Sequence, residues 1–143
     1  MTLEERARAV RAFNRLYTRQ IGLLHHGYLQ SPFSLTEMRV LYELAHRDRP
    51  TARDLSRDLD LDAGYLSRIL RNFEKRGYLR RKASKGDARQ SELSLTPGGH
   101  KAFDPFEKKA NQEIASMLER LPVTSQIRLI EAMGEIEQLL KST

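Results

Sequence analysis

Asp62-Ala63-Gly64-Tyr65-Leu66-Ser67-Arg68-Ile69-Leu70-Arg71-Asn72-Phe73-Glu74-Lys75-Arg76-Gly77 reads as a helix with both ends marked. Asp62 is a good N-cap, and Gly77 supplies the C-terminal stop. Leu66, Ile69, Leu70 and Phe73 stand at i, i+3, i+4 and i+7, so they share one face. Gly64, Ser67, Arg68, Arg71 and Lys75 fall on the opposite face. One side is built for a core; the other is small, polar and basic. A helix that enters the major groove of DNA needs this division. Arginine donates to guanine O6 and N7 or to phosphate, and serine serves either. Ala63 and Gly64 leave room for close approach, and the N-terminal N–H groups can meet phosphate. Alone, the pattern also fits an ordinary amphipathic surface helix. Its neighbours decide between the two.

Upstream, Thr51 is an N-cap for a short helix, about 52 to 59, with Leu55 and Leu59 inward. The turn Asp60-Leu61-Asp62 joins it to the next helix as a helix-turn-helix unit. Downstream, Tyr78 to Ala83 reads as a strand with weak alternation, and Ser84 to Arg89 as a loop. Ser91 to Leu95 alternates as a half-buried strand does. A hairpin directly after such a helix is a wing. Lys82, Lys85 and Arg89 surround its turn, and an arginine at a hairpin tip suits a narrow minor groove. Asp87 is read as pairing with Arg89 or another basic residue and setting its direction. A solvated Gly-Asp turn is the competing reading. The DNA-facing candidates are therefore Thr51, Asp62, Ala63, Gly64, Tyr65, Ser67, Arg68, Arg71 and Lys75 on the helices, with Lys82, Ser84, Lys85, Asp87 and Arg89 on the wing.

Charge supports the grouping. From Arg68 to Arg89 there are nine basic residues against Glu74 and Asp87, a local net of +7. The whole chain carries +6, so the remainder is close to neutral at −1. A basic patch on a balanced protein is the footprint of a polyanion partner.

Further out, Ser34 and Glu37 form a capping box, with Phe33 and Met38 as the hydrophobic staple, opening a helix to about His46. Pro50 stops its continuation. A long first helix, about Leu3 to Leu29, carries Leu3, Ala7, Val10, Asn14, Tyr17, Ile21, Leu24 and Tyr28 in alternating steps of four and three. That heptad-like seam, on a helix of roughly 40 Å, needs a surface larger than a small DNA-binding core. A second subunit provides one. Thr96-Pro97 opens a fifth helix to about Arg120, with Gly98 and Gly99 loosening its start and Pro105 expected to introduce a kink. Leu121-Pro122 breaks it, and a sixth helix follows from about Val123 to Lys141. The expected class is mainly α with a small β-hairpin wing: a dimerisation helix over 1–31, a winged helix-turn-helix lobe over 32–99 and C-terminal dimerisation helices over 100–143.

Composition excludes several alternatives. The chain of 143 residues has no cysteine, which removes disulfide frameworks, thiol nucleophiles and cysteine-ligated zinc. No apolar run approaches the roughly 18 residues of a membrane span. The charged start has no apolar signal region, so a cytoplasmic protein is expected. His25, His26, His46 and His100 lack a His-x-x-x-His pair, and adjacent helical residues point about 100° apart, so neither a metal site nor catalysis is expected. No cofactor motif is present. Tyr17, His25, Tyr28, Phe33, Met38, Arg39 and Tyr42 form a candidate effector site for a small aromatic or phenolic ligand. Packing of core and hinge is the plainer reading of the same residues.

From about Ser34 to Gly99 the chain resembles the MarR family (multiple-antibiotic-resistance regulators). The residues that carry the resemblance are Leu35-Thr36, Leu55-Ser56 with Leu59, Tyr65 to Leu70, Phe73 to Leu79, Asp87-Ala88-Arg89 and Leu93 to Gly99. The resemblance implies a homodimer built by helices one, five and six. It implies double-stranded DNA as partner, at a pseudo-palindromic operator with half-sites about one helical turn apart. It also implies that Asp87 braces Arg89 and that a small ligand modulates binding. Arg11 to Asn14 and Ser31 to Ser34 look closer to a subgroup fused to a C-terminal acetyltransferase domain. The chain stops at Thr143, so no acetyltransferase activity is expected from it. The alternatives are a regulatory dimer whose winged helix binds protein, and the non-catalytic half of such a fusion.

Overall fold

Each helix of the winged region starts where a short polar side chain can satisfy its first free N–H groups. The computed structural model describes residues 1–21, 31–86 and 89–142. The predicted end of the first helix, with Leu24, His25, His26 and Tyr28, and the wing residue Asp87 lie outside the described residues. The elements are α1 (Leu3–Gln20), α2 (Leu35–His46), α3 (Ala52–Leu59), α4 (Ala63–Lys75), β1 (Leu79–Ala83), β2 (Ser91–Leu95), α5 (Pro97–Glu119) and α6 (Val123–Lys141). The chain divides into two units, Met1–Glu107 and Lys108–Thr143.

Ser34 Oγ accepts from Glu37 N at 3.1 Å, and Glu37 Oε1 accepts from Ser34 N at 2.9 Å. The predicted staple residues Phe33 and Met38 are both buried beneath this box. Thr51 and Asp54 form the same reciprocal pair at the start of α3. Each such cap is worth about 1 kcal/mol. Between α3 and α4, Asp60 takes φ +53°, a left-handed conformation that aspartate tolerates better than most residues.

The end of α4 is a Schellman motif. Gly77 at φ +80° lets its own N–H reach Glu74 O at 3.0 Å and the Tyr78 N–H reach Phe73 O at 2.8 Å. The chain then enters β1, which pairs antiparallel with β2 in the register Leu79↔Leu95 to Ala83↔Ser91. A third segment joins the sheet. Thr51 bridges to Glu92, and Leu93 N donates to Pro50 O at 2.8 Å. The wing is thus tied to the start of α3, a link that sequence patterning missed.

The core gathers Phe33, Leu41, Leu44, Leu55, Leu66, Leu70, Phe73, Leu93 and Phe103. Phe33 stands edge-on to Phe73, Tyr78 and Phe106, with centroids 6.1 to 6.2 Å away. The Arg76 guanidinium covers the outside of this cluster, 5.4 Å from the Phe33 ring and 4.9 Å from the Tyr78 ring. α5 continues as helix across Pro105. Thr96 caps α5 by accepting from Gly99 N at 3.0 Å, while its hydroxyl donates to Gly77 O at 2.5 Å. Here α5 and the Gly77–Tyr78 turn come so close that a Cβ on Gly99 would overlap the Tyr78 carbonyl oxygen and meet Leu95 Cδ2 at 3.1 Å. Gly99→Ala is expected to destabilise the fold by about 1–3 kcal/mol, as overpacking at a backbone contact does. Urea denaturation measures it; a loss near zero would show that the turn can yield.

An ion network ties α2 to α3. Arg47 donates to Glu43 at 2.5 Å and to Asp58 at 2.7 Å, and Arg57 donates to Asp58 at 2.9 Å. The Arg57 and then the Arg47 guanidinium hold the Asp58 carboxyl at about 2, below its ordinary 3.8. A depressed carboxylate stabilises the fold above its unfolded pKa, and that contribution is lost as pH falls through the folded value. The stability difference between the wild type and Asp58→Asn is therefore expected to be full at pH 6 and to vanish between about pH 4 and pH 2. A pH-independent difference in melting temperature would contradict the pairing.

Candidate nucleic-acid interface

The faces of α4 separate as its spacing requires. Leu66, Ile69, Leu70 and Phe73 are buried, and Ala63, Gly64, Tyr65, Ser67, Arg68, Arg71 and Lys75 are exposed. The Arg68 guanidinium lies 5.8 Å from the Tyr65 ring centroid, so the tyrosine supports the arginine on the outer face. On the wing, Lys82, Lys85 and Arg89 are exposed. Ser84 is half-buried; its N–H donates to Gln90 O at 2.9 Å and its Oγ accepts from Gly86 N at 3.4 Å. It shapes the turn and presents little to a ligand.

Three of the predicted contact residues have local roles in the structure. Asp62 Oδ2 accepts from Tyr65 N at 2.9 Å, so its carboxylate occupies the start of α4 where a phosphate would sit. A negative group there caps the helix and disfavours a phosphate at the same point, so the role the structure gives Asp62 is the cap. Gly64 serves that cap, because a Cβ would stand 3.2 Å from Asp62 Oδ2. Thr51 is also engaged locally, as the cap of α3 and the bridge to β2.

The surface between these elements is concave. A cleft of about 400 Å³ lies between α3 and α4, with Arg53, Ser56, Arg57, Ser67 and Arg81 on its walls. A second, of about 170 Å³, sits at the wing base and is lined by Thr51, Arg53, Arg81, Arg89, Gln90 and Ser91. Sequence reasoning missed Arg53 and weighed Arg81 only as charge. The available signal for Arg53 is its place in the first turn after the Thr51 cap.

The described effector candidates divide between the core and the exposed surfaces of α1 and α2. Phe33 and Met38 belong to the core, where Ser31 Oγ reaches Met38 Sδ at 3.8 Å. The staple that fixes the entry to α2 uses both side chains, which favours the plainer reading of them as core packing. Arg39 and Tyr42 are exposed on α2, and Tyr42 packs on His46 with centroids 4.4 Å apart. Tyr17 stacks on Phe13 along α1 at 5.7 Å. His25 and Tyr28 lie outside the described residues. Among the described residues, no group of three or more His, Cys, Asp or Glu side chains is placed to hold a metal ion. None of the described helices is long and apolar enough to cross a membrane.

A helix pair, a basic outward helix and a hairpin closed against the first helix define a winged helix-turn-helix. Residues 31–90 match the MarR family. The chain is 31% identical over 64 residues to the HTH-type transcriptional regulator SarZ of Staphylococcus haemolyticus. That match spans 45% of this chain and 44% of SarZ, less than half the length of the curated relative. FabT of Streptococcus pneumoniae, solved in complex with DNA, superposes with a TM-score of 0.72 at 18% identity, covering 97% of this chain and 96% of FabT. MepR of S. aureus, also solved with DNA, gives 0.71 at 18% identity, covering 94% and 97%. The matching part of this chain, residues 31–90, is its winged helix-turn-helix.

Proposed function

We propose that the chain is a homodimeric, sequence-specific DNA-binding transcription regulator that acts as a repressor, with α4 in the major groove and the wing in the minor groove. The division of α4 carries this reading: four core residues on one face and Ser67, Arg68, Arg71 and Lys75 on the other. The DNA complexes of FabT and MepR, which share the fold, support the choice of partner.

The dimer rests on apolar surface that the single chain leaves open. No residue of α1 or of α6 is buried. Val10 on α1 is 60% exposed, and Ile130 and Leu140 on α6 are 58% and 68% exposed. Apolar faces of this length on water-exposed helices are interaction surfaces. A second copy, with the same helices, matches them and sets two α4 helices one DNA turn apart. Arg39 and Tyr42 on α2 are the exposed groups available to an aromatic acid that alters the spacing of the two lobes. A DNA partner places the protein in the cytoplasm.

Selection of bound duplexes from a random-sequence pool tests the reading. The enriched sequences are expected to form an inverted repeat with half-sites about 10 base pairs apart, centre to centre. Enrichment of no sequence, or of a lone half-site, would contradict a dimeric regulator.

A further inference from the structure

The clefts of the winged lobe share one wall. Ala52, Arg53 and Arg81 line both the space between α3 and α4 and the space at the wing base. The two clefts therefore adjoin at these residues, with Ser67 of α4 lining one and Arg89 of the wing lining the other. Most arginines near α3 are held by carboxylates. Arg47 is tied to Glu43 and Asp58, Arg57 to Asp54 and Asp58, and Arg49 to Asp48 and Glu92. Arg53 is exposed and makes no ion pair with any described residue. Arg81 is half-buried, and Glu74 Oε2 holds its Nε at 3.2 Å. A guanidinium held through Nε keeps its two terminal nitrogens for a second anion. The wall between the clefts thus presents one exposed guanidinium, of Arg53, and one pre-oriented guanidinium, of Arg81.

We propose that Arg53 and Arg81 together seat a single backbone phosphate of double-stranded DNA at this junction, with Glu74 as the positioning residue for Arg81. The site rests on the DNA-binding reading above and deepens it. A phosphate here lies between the groove-reading helix and the wing, so it fixes how far α4 enters the major groove. The interaction is blind to base sequence, because phosphate carries no sequence information. Arginine suits it better than lysine, since the planar fork matches two phosphate oxygens at once.

The test is the salt dependence of binding of the protein to a fluorescent mixed-sequence 24-base-pair duplex. The log–log slope falls by about 0.9 for each phosphate that is no longer neutralised. The double variant Arg53→Ala/Arg81→Ala is expected to lower the slope by about 1.8, one phosphate in each subunit of the dimer, and to weaken binding alike on any sequence. An unchanged slope overturns the site, and a fall of about 3.6 shows two separate phosphates in each subunit and overturns the shared seat. Because Arg81 is half-buried, Arg53→Ala is the control that leaves the fold untouched. Its melting temperature should match the wild type while its affinity at low salt drops about threefold or more. An affinity equal to that of the wild type overturns the proposal. If the wild type binds no duplex at all, the regulator reading fails first, which separates that result from a failure of the site alone.

Discussion

Arg68→Ala is expected to erase the distinction between operator and unrelated DNA. Arg68 is exposed in the middle of α4, and its guanidinium rests by the Tyr65 ring at 5.8 Å. That support narrows the directions in which it can donate. A bidentate arginine contact to guanine is worth about 1–3 kcal/mol of discrimination. A dimer uses it twice, so the loss sums to about 2–6 kcal/mol, or roughly 30- to 10⁴-fold in operator affinity. Binding to scrambled DNA draws on phosphate contacts and should change far less. The check is a pair of titrations, selected site and scrambled duplex, for wild type and variant. A parallel fall on both duplexes would make Arg68 a phosphate ligand and leave base reading to Arg71 or Ser67.

Phe73→Ala is expected to cost about 3–5 kcal/mol, a large fraction of the total stability of a domain this size. Phe73 is 0% exposed, stands 6.2 Å from Phe33 and 6.4 Å from Tyr78, and accepts the Tyr78 N–H that closes α4. Truncation removes one ring from the aromatic cluster, between Phe33 and Tyr78, and loosens the joint between α4 and the wing. Equilibrium urea unfolding followed by far-ultraviolet circular dichroism measures the loss. A change under about 1 kcal/mol would mean that the cluster collapses around the gap, in which case it does not fix the wing.

The two residues also show what kind of structure a sequence displays openly. Phe73 and Arg68 are five residues apart on one helix, and their opposite faces follow from 3.6 residues per turn. The caps are equally local: Ser34 with Glu37, Thr51 with Asp54, and Asp62 with the N–H of Tyr65. Helix periodicity and three-residue spacings therefore find α2, α3 and α4, and α6 spans the predicted Val123–Lys141. In sequence Gly99 suggests only a loose start to α5, because its reason lies at the Tyr78 carbonyl, across a turn between two elements. The bridge from Thr51 to Glu92 is one residue long and has no pattern to detect.

The candidate interface divides along the same line. The outward residues of α4 are legible from periodicity. The cation pair Arg53 and Arg81 is not, since one sits on α3 and the other on β1, and only folding brings them to the wall the two clefts share. Asp62 and Gly64 carry two readings for a physical reason. A residue type that favours a DNA approach also favours a helix start, and here the start uses both. Phe33 and Met38 are the parallel case: aromatic and thioether side chains suit a ligand pocket and a core equally, and burial decides. The staple pattern around Ser34 already points inward.

Everything proposed for this protein depends on one property: the exposed basic face of α4, presented twice by a dimer, must read DNA sequence. The affinity ratio between the selected inverted repeat and a scrambled duplex of equal length, at two salt concentrations, measures that property. The selected site is expected to bind at least about 10³-fold tighter than the scrambled duplex at physiological salt, with steep weakening of both as salt rises. Equal, weak affinity for the two duplexes at both salt concentrations would show that α4 reads no sequence.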